Sequence, residues 1–253
     1  MKTPWEVFQE SRTKIKSTWK TAFASAFLLG LLIHLPVMFS DIPNHDGLSS
    51  MYFDQNMITS GRWFLSAACG LSSYFTIPWV IGLIGLVWLS LTAVVLTEML
   101  ELTDPLVITA VSGLLVAFPA LASTFAYVFT MDGYMLGLFL AILAVLLTKK
   151  YRKGWLYGAV SLAFSMGIYQ AYLPFAILLC VYLILIFFME EKGWKKKAGY
   201  VLRYLGMGAC GGVLYYVILQ ILLKLQGKVL DTYQGINSME QGGTGTGLLT
   251  TIK

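Results

Sequence analysis

Between residues 44 and 65 the chain reads "NHDGLSSMYFDQNMITSGRWFL", which places His45, Asp46, Asp54 and Arg62 together in an otherwise apolar sequence. An aspartate beside a hydroxyl can take its proton, and an arginine can hold an anion with its forked guanidinium. Residue types alone do not separate such a site from a wet loop between apolar segments. The elements that carry these residues decide.

The chain has 253 residues, 57% of them hydrophobic and 12% charged, with a mean hydropathy of +0.72. Soluble domains carry about 25% charged residues, so this chain lacks the charge to cover itself in water. Apolar runs of about twenty residues recur, the length that crosses bilayer hydrocarbon. The fold class is therefore all-α, a polytopic transmembrane helical protein. Cys69, Cys180 and Cys210 show no CxxC or CxH spacing, which argues against disulfides and zinc and for buried packing residues.

The net charge of +5 is placed for topology rather than for nucleic acid. One cluster holds Lys2, Arg12, Lys14, Lys16 and Lys20, a second is "KKYRK" from Lys149 to Lys153, and a third runs from Lys192 to Arg203. Even numbers of expected spans separate them, so the positive-inside rule puts all three, and the N-terminus, in the cytoplasm. Residues 1–20 form a cytoplasmic amphipathic segment opened by a Thr3/Glu6 capping box with Pro4 at the first helical position. Seven spans follow within 21–223, at about 21–39, 77–100, 105–125, 133–148, 155–168, 172–189 and 199–223. Asp104 before Pro105 reads as the cap of the third. Residues 40–76 form an extracytoplasmic loop expected to carry two short interfacial helices. Residues 224–253, closing in "EQGGTGTGLLTTIK", read as an extracytoplasmic flexible loop, with further C-terminal spans expected beyond it.

That topology puts Asp41, Asp46, Asp54, Asp132 and Asp231 on the outer side. Each polar residue has a plainer reading. Asp46 and Asp132 could cap helices, Arg62 could snorkel toward headgroups, and Tyr169, Gln170 and Tyr172 could belong to an aromatic belt. His34 reads as an interhelical hydrogen-bond partner. Taken together, two acidic turns and an arginine beside interfacial helices make a polar mouth at the outer leaflet. A lipid-linked substrate needs that position, because its tail stays in the bilayer while its headgroup reacts in water.

The blocks "NHDGLS", "SGRWFL", "FPALASTFAYVFTMDGYMLGL" and "SMGIYQAYLPFA" occur in that order. Over roughly residues 20–190 they resemble the bacterial serotype-converting glucosyltransferases of the Gtr type. The resemblance implies a GT-C-like membrane enzyme that uses polyprenyl-phosphate sugars at the outer membrane face, with a catalytic acid in the first outer loop. By that resemblance the donor is undecaprenyl-phosphate glucose and the acceptor a cell-surface glycan.

The chemistry of transfer then assigns roles. Asp46 is the expected base, with Asp132 or Asp41 orienting the sugar or the acceptor. Arg62 is the cation for the departing phosphate, and Asn44, His45, Tyr169 and Gln170 are further substrate-binding candidates. No cofactor is expected, although clustered aspartates could hold a divalent metal. The alternative is a non-catalytic transporter or flippase component for lipid-linked glycans. Such a protein should carry ionisable residues near the bilayer midplane, whereas here the mid-span positions are nearly free of charge and the carboxylates crowd one face.

Overall fold

Backbone polar groups cannot be hydrated in hydrocarbon, so a chain of this composition satisfies them within helices. The computed structural model describes residues 3–6, 15–40, 56–70 and 77–231, and among them there are helices and turns but no strand. The helices are α1 Ser17–Phe39, α2 Leu65–Ala68, α3 Pro78–Met99, α4 Pro105–Ala117, α5 Pro119–Thr124, α6 Met131–Lys150, α7 Gly154–Ile168, α8 Leu173–Glu190 and α9 Trp194–Gln226. The protein is a polytopic helical membrane protein: α1, α3, α6, α9 and the segment Gln170–Glu190 containing α8 are each long and apolar enough to cross a bilayer. The helices α4 and α7 are apolar but shorter.

Two local features depart from the expected pattern. The third span is not one helix but two, broken at Phe118. Pro119 has no N–H to continue α4 and pushes the preceding residue to extended backbone, and Phe118 adopts φ −60°, ψ 127°. The two interfacial helices expected in the 40–76 loop are represented, among the described residues, by a 3-10 turn at Ile58–Ser60 and the single turn α2.

The helices pack in the order α4, α1, α3, α6, α7, α9, with α8 laid against α6. The buried residues of α1 repeat every fourth position, through Ala22, Ala26, Gly30, His34 and Met38, the spacing that places successive side chains on neighbouring parts of one face. The α6–α7 contact is tied by two hydroxyls one turn apart: Ser161 donates to Leu140 O and Ser165 to Gly137 O, both at 2.7 Å. His34 joins α1 to α4, with Nε2 2.9 Å from Val116 O and its ring stacked on Phe125. That is the interhelical role expected of it. Outward faces stay apolar, with Leu28, Leu32, Leu178 and Val213 exposed, as lipid contact demands. Cys69 and Cys180 are buried, but Cys210 is exposed on the outward side of α9, so the packing role expected for all three holds for two.

The described residues of the three basic clusters gather at one end of the bundle. Glu98, near the end of α3, binds Lys16 Nζ at 2.7 Å, Lys150 Nζ at 2.7 Å and Trp19 Nε1 at 2.8 Å, which joins the first two clusters. The third is joined by Arg203, whose guanidinium donates to the carbonyls of Thr148 and Tyr151. The next turn is capped as expected: Asp104 Oδ1 accepts from Leu106 N at 2.8 Å and Val107 N at 3.0 Å. Thr3 and Glu6 likewise form a reciprocal capping box.

Glu98 is the hub of this end, and its side chain is only 14% exposed. Glu98→Ala leaves two ammonium groups and an indole N–H without their shared acceptor. The expected result is a loss of about 1–3 kcal/mol, read as a lower midpoint in detergent thermal unfolding. An unchanged midpoint overturns the assignment.

Candidate functional site

At the end opposite the basic clusters, the blocks "SGRWFL", "TMDGYM" and "GIYQAY" meet. The 3-10 turn Ile58–Ser60 ends in Gly61 at φ +78°, a left-handed conformation that a Cβ disfavours. A Cβ there would also stand 2.5 Å from Gln170 Nε2 and from Tyr215 Oη. The reversal delivers Arg62, Trp63 and Phe64 onto α6 and α7. Phe64 N–H donates to Gly167 O at 2.7 Å, and the Trp63 ring lies against Gly167, where a Cβ would meet it at 2.6 Å. Trp63 and Phe64 both meet Phe164 edge-on, with centroids 5.3 and 4.7 Å apart.

Arg62 rests in an aromatic bed. Its guanidinium carbon lies 4.6 Å from the Tyr169 ring centroid, within cation–π range. Nη1 donates to Tyr134 Oη at 3.3 Å, and Tyr134 in turn stacks on Tyr169 at 5.1 Å. Among the described residues Arg62 has no carboxylate partner, and its Nε is buried without an acceptor. A cation held this way is electrostatically incomplete. Leaving guanidinium N–H groups unpaired away from water costs free energy that an anionic ligand restores.

Asp132 stands in the first turn of α6, 3% exposed, with Oδ1 accepting from Gly133 N–H at 2.9 Å. The positive end of the α6 dipole favours a carboxylate there. The structure thus brings Arg62, Tyr169 and Gln170 to one wall and sets Asp132 two residues before Tyr134. Gln170 Nε2 donates to Ser60 O at 3.2 Å and to Tyr215 Oη at 2.8 Å. Tyr172 is buried in the core, not in an open aromatic belt. Asp41, Asn44, His45, Asp46 and Asp54 lie outside the described residues. Among the described residues no three His, Cys, Asp or Glu side chains gather as a metal site would need.

Two residues of this wall carry no signal that reading for charge would find. Tyr134 sits in "MDGYM", where Asp132 draws the eye, and Tyr215 lies inside an apolar span. Both enter through a phenolic hydroxyl, which composition cannot tell from an ordinary packing ring.

A family model described as Glucosyl transferase GtrII matches residues 35–253, which include the whole of this wall. No curated protein and no solved structure matches the chain.

The Trp63–Gly167 contact should be testable by size. Gly167→Ala forces the indole off its seat, and overpacking of this kind costs about 1–3 kcal/mol. The thermal midpoint should fall, and the double variant Gly167→Ala/Trp63→Phe should recover most of the loss. If Gly167→Ala alone leaves the midpoint in place, the contact does not hold the segment.

Proposed function

The chain belongs to the GtrII glucosyl transferase family, and from that premise we propose that it moves glucose from undecaprenyl-phosphate glucose to a cell-surface glycan. Membership makes it a membrane glycosyltransferase with a sugar donor and a glycan acceptor. The finer reading places the reaction at the outer face of a bacterial cytoplasmic membrane, with the basic end and the N-terminus inside. The observation that carries it is Arg62. At the end of the bundle away from the basic clusters, this guanidinium lies on the Tyr169 ring and donates to Tyr134 Oη, with no carboxylate partner among the described residues. A lipid phosphate at the membrane surface has the charge and the geometry to complete it.

In this reading the acceptor hydroxyl oxygen attacks the anomeric carbon of glucose while Asp46 takes the hydroxyl proton. The bond from the anomeric carbon to the phosphate oxygen breaks. Its electron pair leaves with the lipid phosphate, whose growing charge Arg62 meets. Asp132 or Asp41 orients the sugar or the acceptor, and Asn44 and His45 line the donor side. Configuration inverts when base and phosphate stand on opposite faces of the sugar, by analogy with direct displacement in glycosidases.

Membranes containing the chain, supplied with radiolabelled polyprenyl-phosphate glucose, should place label in surface polymer. Asp46→Asn should cut turnover by about 10²–10⁴-fold, the usual contribution of a positioned base, while insertion survives because asparagine still caps a helix. Arg62→Lys should instead raise the donor KM about tenfold, since lysine keeps the charge and loses the fork. Wild-type turnover in Asp46→Asn would move the base to Asp132. An unchanged donor KM in Arg62→Lys would remove the phosphate assignment.

A further inference from the structure

The three backbone carbonyls ahead of Arg62 are each taken by a group from elsewhere in the chain. Thr59 O accepts from Asp231 N–H at 2.9 Å, Ser60 O from Gln170 Nε2 at 3.2 Å, and Gly61 O from the Tyr215 hydroxyl at 3.0 Å. Gln170 also donates to Tyr215 Oη at 2.8 Å, so this carboxamide has a use for each of its two N–H groups. The Tyr215 hydroxyl has one hydrogen, which goes to Gly61 O, and it accepts from Gln170; the directions of the network are therefore set. Below it, Ile58, Leu219 and Leu223 are buried together with Tyr215 and Trp63 packed around them. Bonds beside such an apolar cluster face little competition from water.

We infer that Tyr215 and Gln170 are positioning residues for Arg62, a latch from α9 and the α7–α8 connector that holds the Ser60–Gly61 backbone and thereby sets where the guanidinium stands. The inference rests on the reading of Arg62 as partner of the donor phosphate. Neither latch residue needs to touch the donor. The connector supplies both parts of the arrangement, because Tyr169 is the surface on which Arg62 lies and Gln170 is the next residue. Release of the latch frees the Gly61 hinge, and the guanidinium loses its fixed distance from the phosphate. Misplacement by about 1 Å is enough to matter in such sites.

Tyr215→Phe removes the hydroxyl and keeps the ring in its apolar cluster. The expected result is a donor KM roughly three- to tenfold higher, the worth of a hydrogen bond, with kcat little changed. In an Arg62→Lys background the same substitution should add nothing, because residues that act through one another are not additive. Hydrogen–deuterium exchange over residues 58–64 should rise in Tyr215→Phe and stay level elsewhere. Gln170→Met, similar in length and without the amide, should repeat the pattern, and Tyr216→Phe, on the exposed side of α9, should not.

Two results overturn the latch: unchanged exchange at 58–64 in both latch variants, or a KM increase that persists in full in the Arg62→Lys background. Failure of the phosphate reading looks different. There Arg62→Lys alone leaves the donor KM unmoved, and the exchange measurement, which needs no donor, decides the latch by itself.

Discussion

A chain that crosses hydrocarbon can hydrate its charges only at the ends of its helices, and the rest of this structure depends on that constraint. Among the described residues the ionisable groups divide between two ends that handle them differently. At the basic end the charges are closed on one another: Glu98 takes Lys16 and Lys150, Lys149 takes Glu101 at 2.7 Å, and Arg203 caps the carbonyls that end α6. At the other end a guanidinium is laid on tyrosines with no carboxylate partner among the described residues. The basic end pairs several of its cations with carboxylates, whereas Arg62 has tyrosines around it instead.

The open end is built by close approach. The segment from Ile58 to Leu65 is short, and it is held by contacts that reach far along the chain. Gln170 meets it across 110 residues and Tyr215 across 154. Glycine permits these meetings: Gly61 turns the chain under the latch, and Gly167 lets the Trp63 ring lie on the backbone of α7. The site-bearing segment is therefore not an autonomous interfacial helix. Its shape comes from α6, α7 and α9, so α9 holds this segment in place through Tyr215 as well as being long enough to span.

What the sequence showed and what it hid follow from range. Helix positions were legible because apolar length and caps are local. Asp104 before Pro105, and Thr3 with Glu6, form the hydrogen bonds their spacing implies. His34 could be assigned to an interhelical bond because an isolated imidazole in a span has few other uses. The break at Phe118 was less visible, although Pro119 is in plain sight, because hydropathy runs unbroken through "VAFPALA". Arg62, Tyr169 and Gln170 were legible by type and place, but the contacts among them were not. Tyr134 and Tyr215 are ordinary membrane residues until long-range packing points their hydroxyls at one segment.

The disposition of the other buried polar groups bears on enzyme against transporter. A translocation pathway needs polar side chains that are free to receive cargo along the length of the spans. Here several mid-span hydroxyls are already committed to backbone carbonyls. Ser90 donates to Leu86 O, Thr92 to Trp88 O, Ser112 to Ala22 O, Ser161 to Leu140 O and Ser165 to Gly137 O. His34 is fixed between Val116 O and the face of Phe125. Such bonds fasten helices to themselves and to each other. Arg62 instead sits at one end, and its partner Tyr134 follows the buried carboxylate of Asp132 by two residues at the start of α6. That arrangement agrees with the proposed reaction at one end of the bundle.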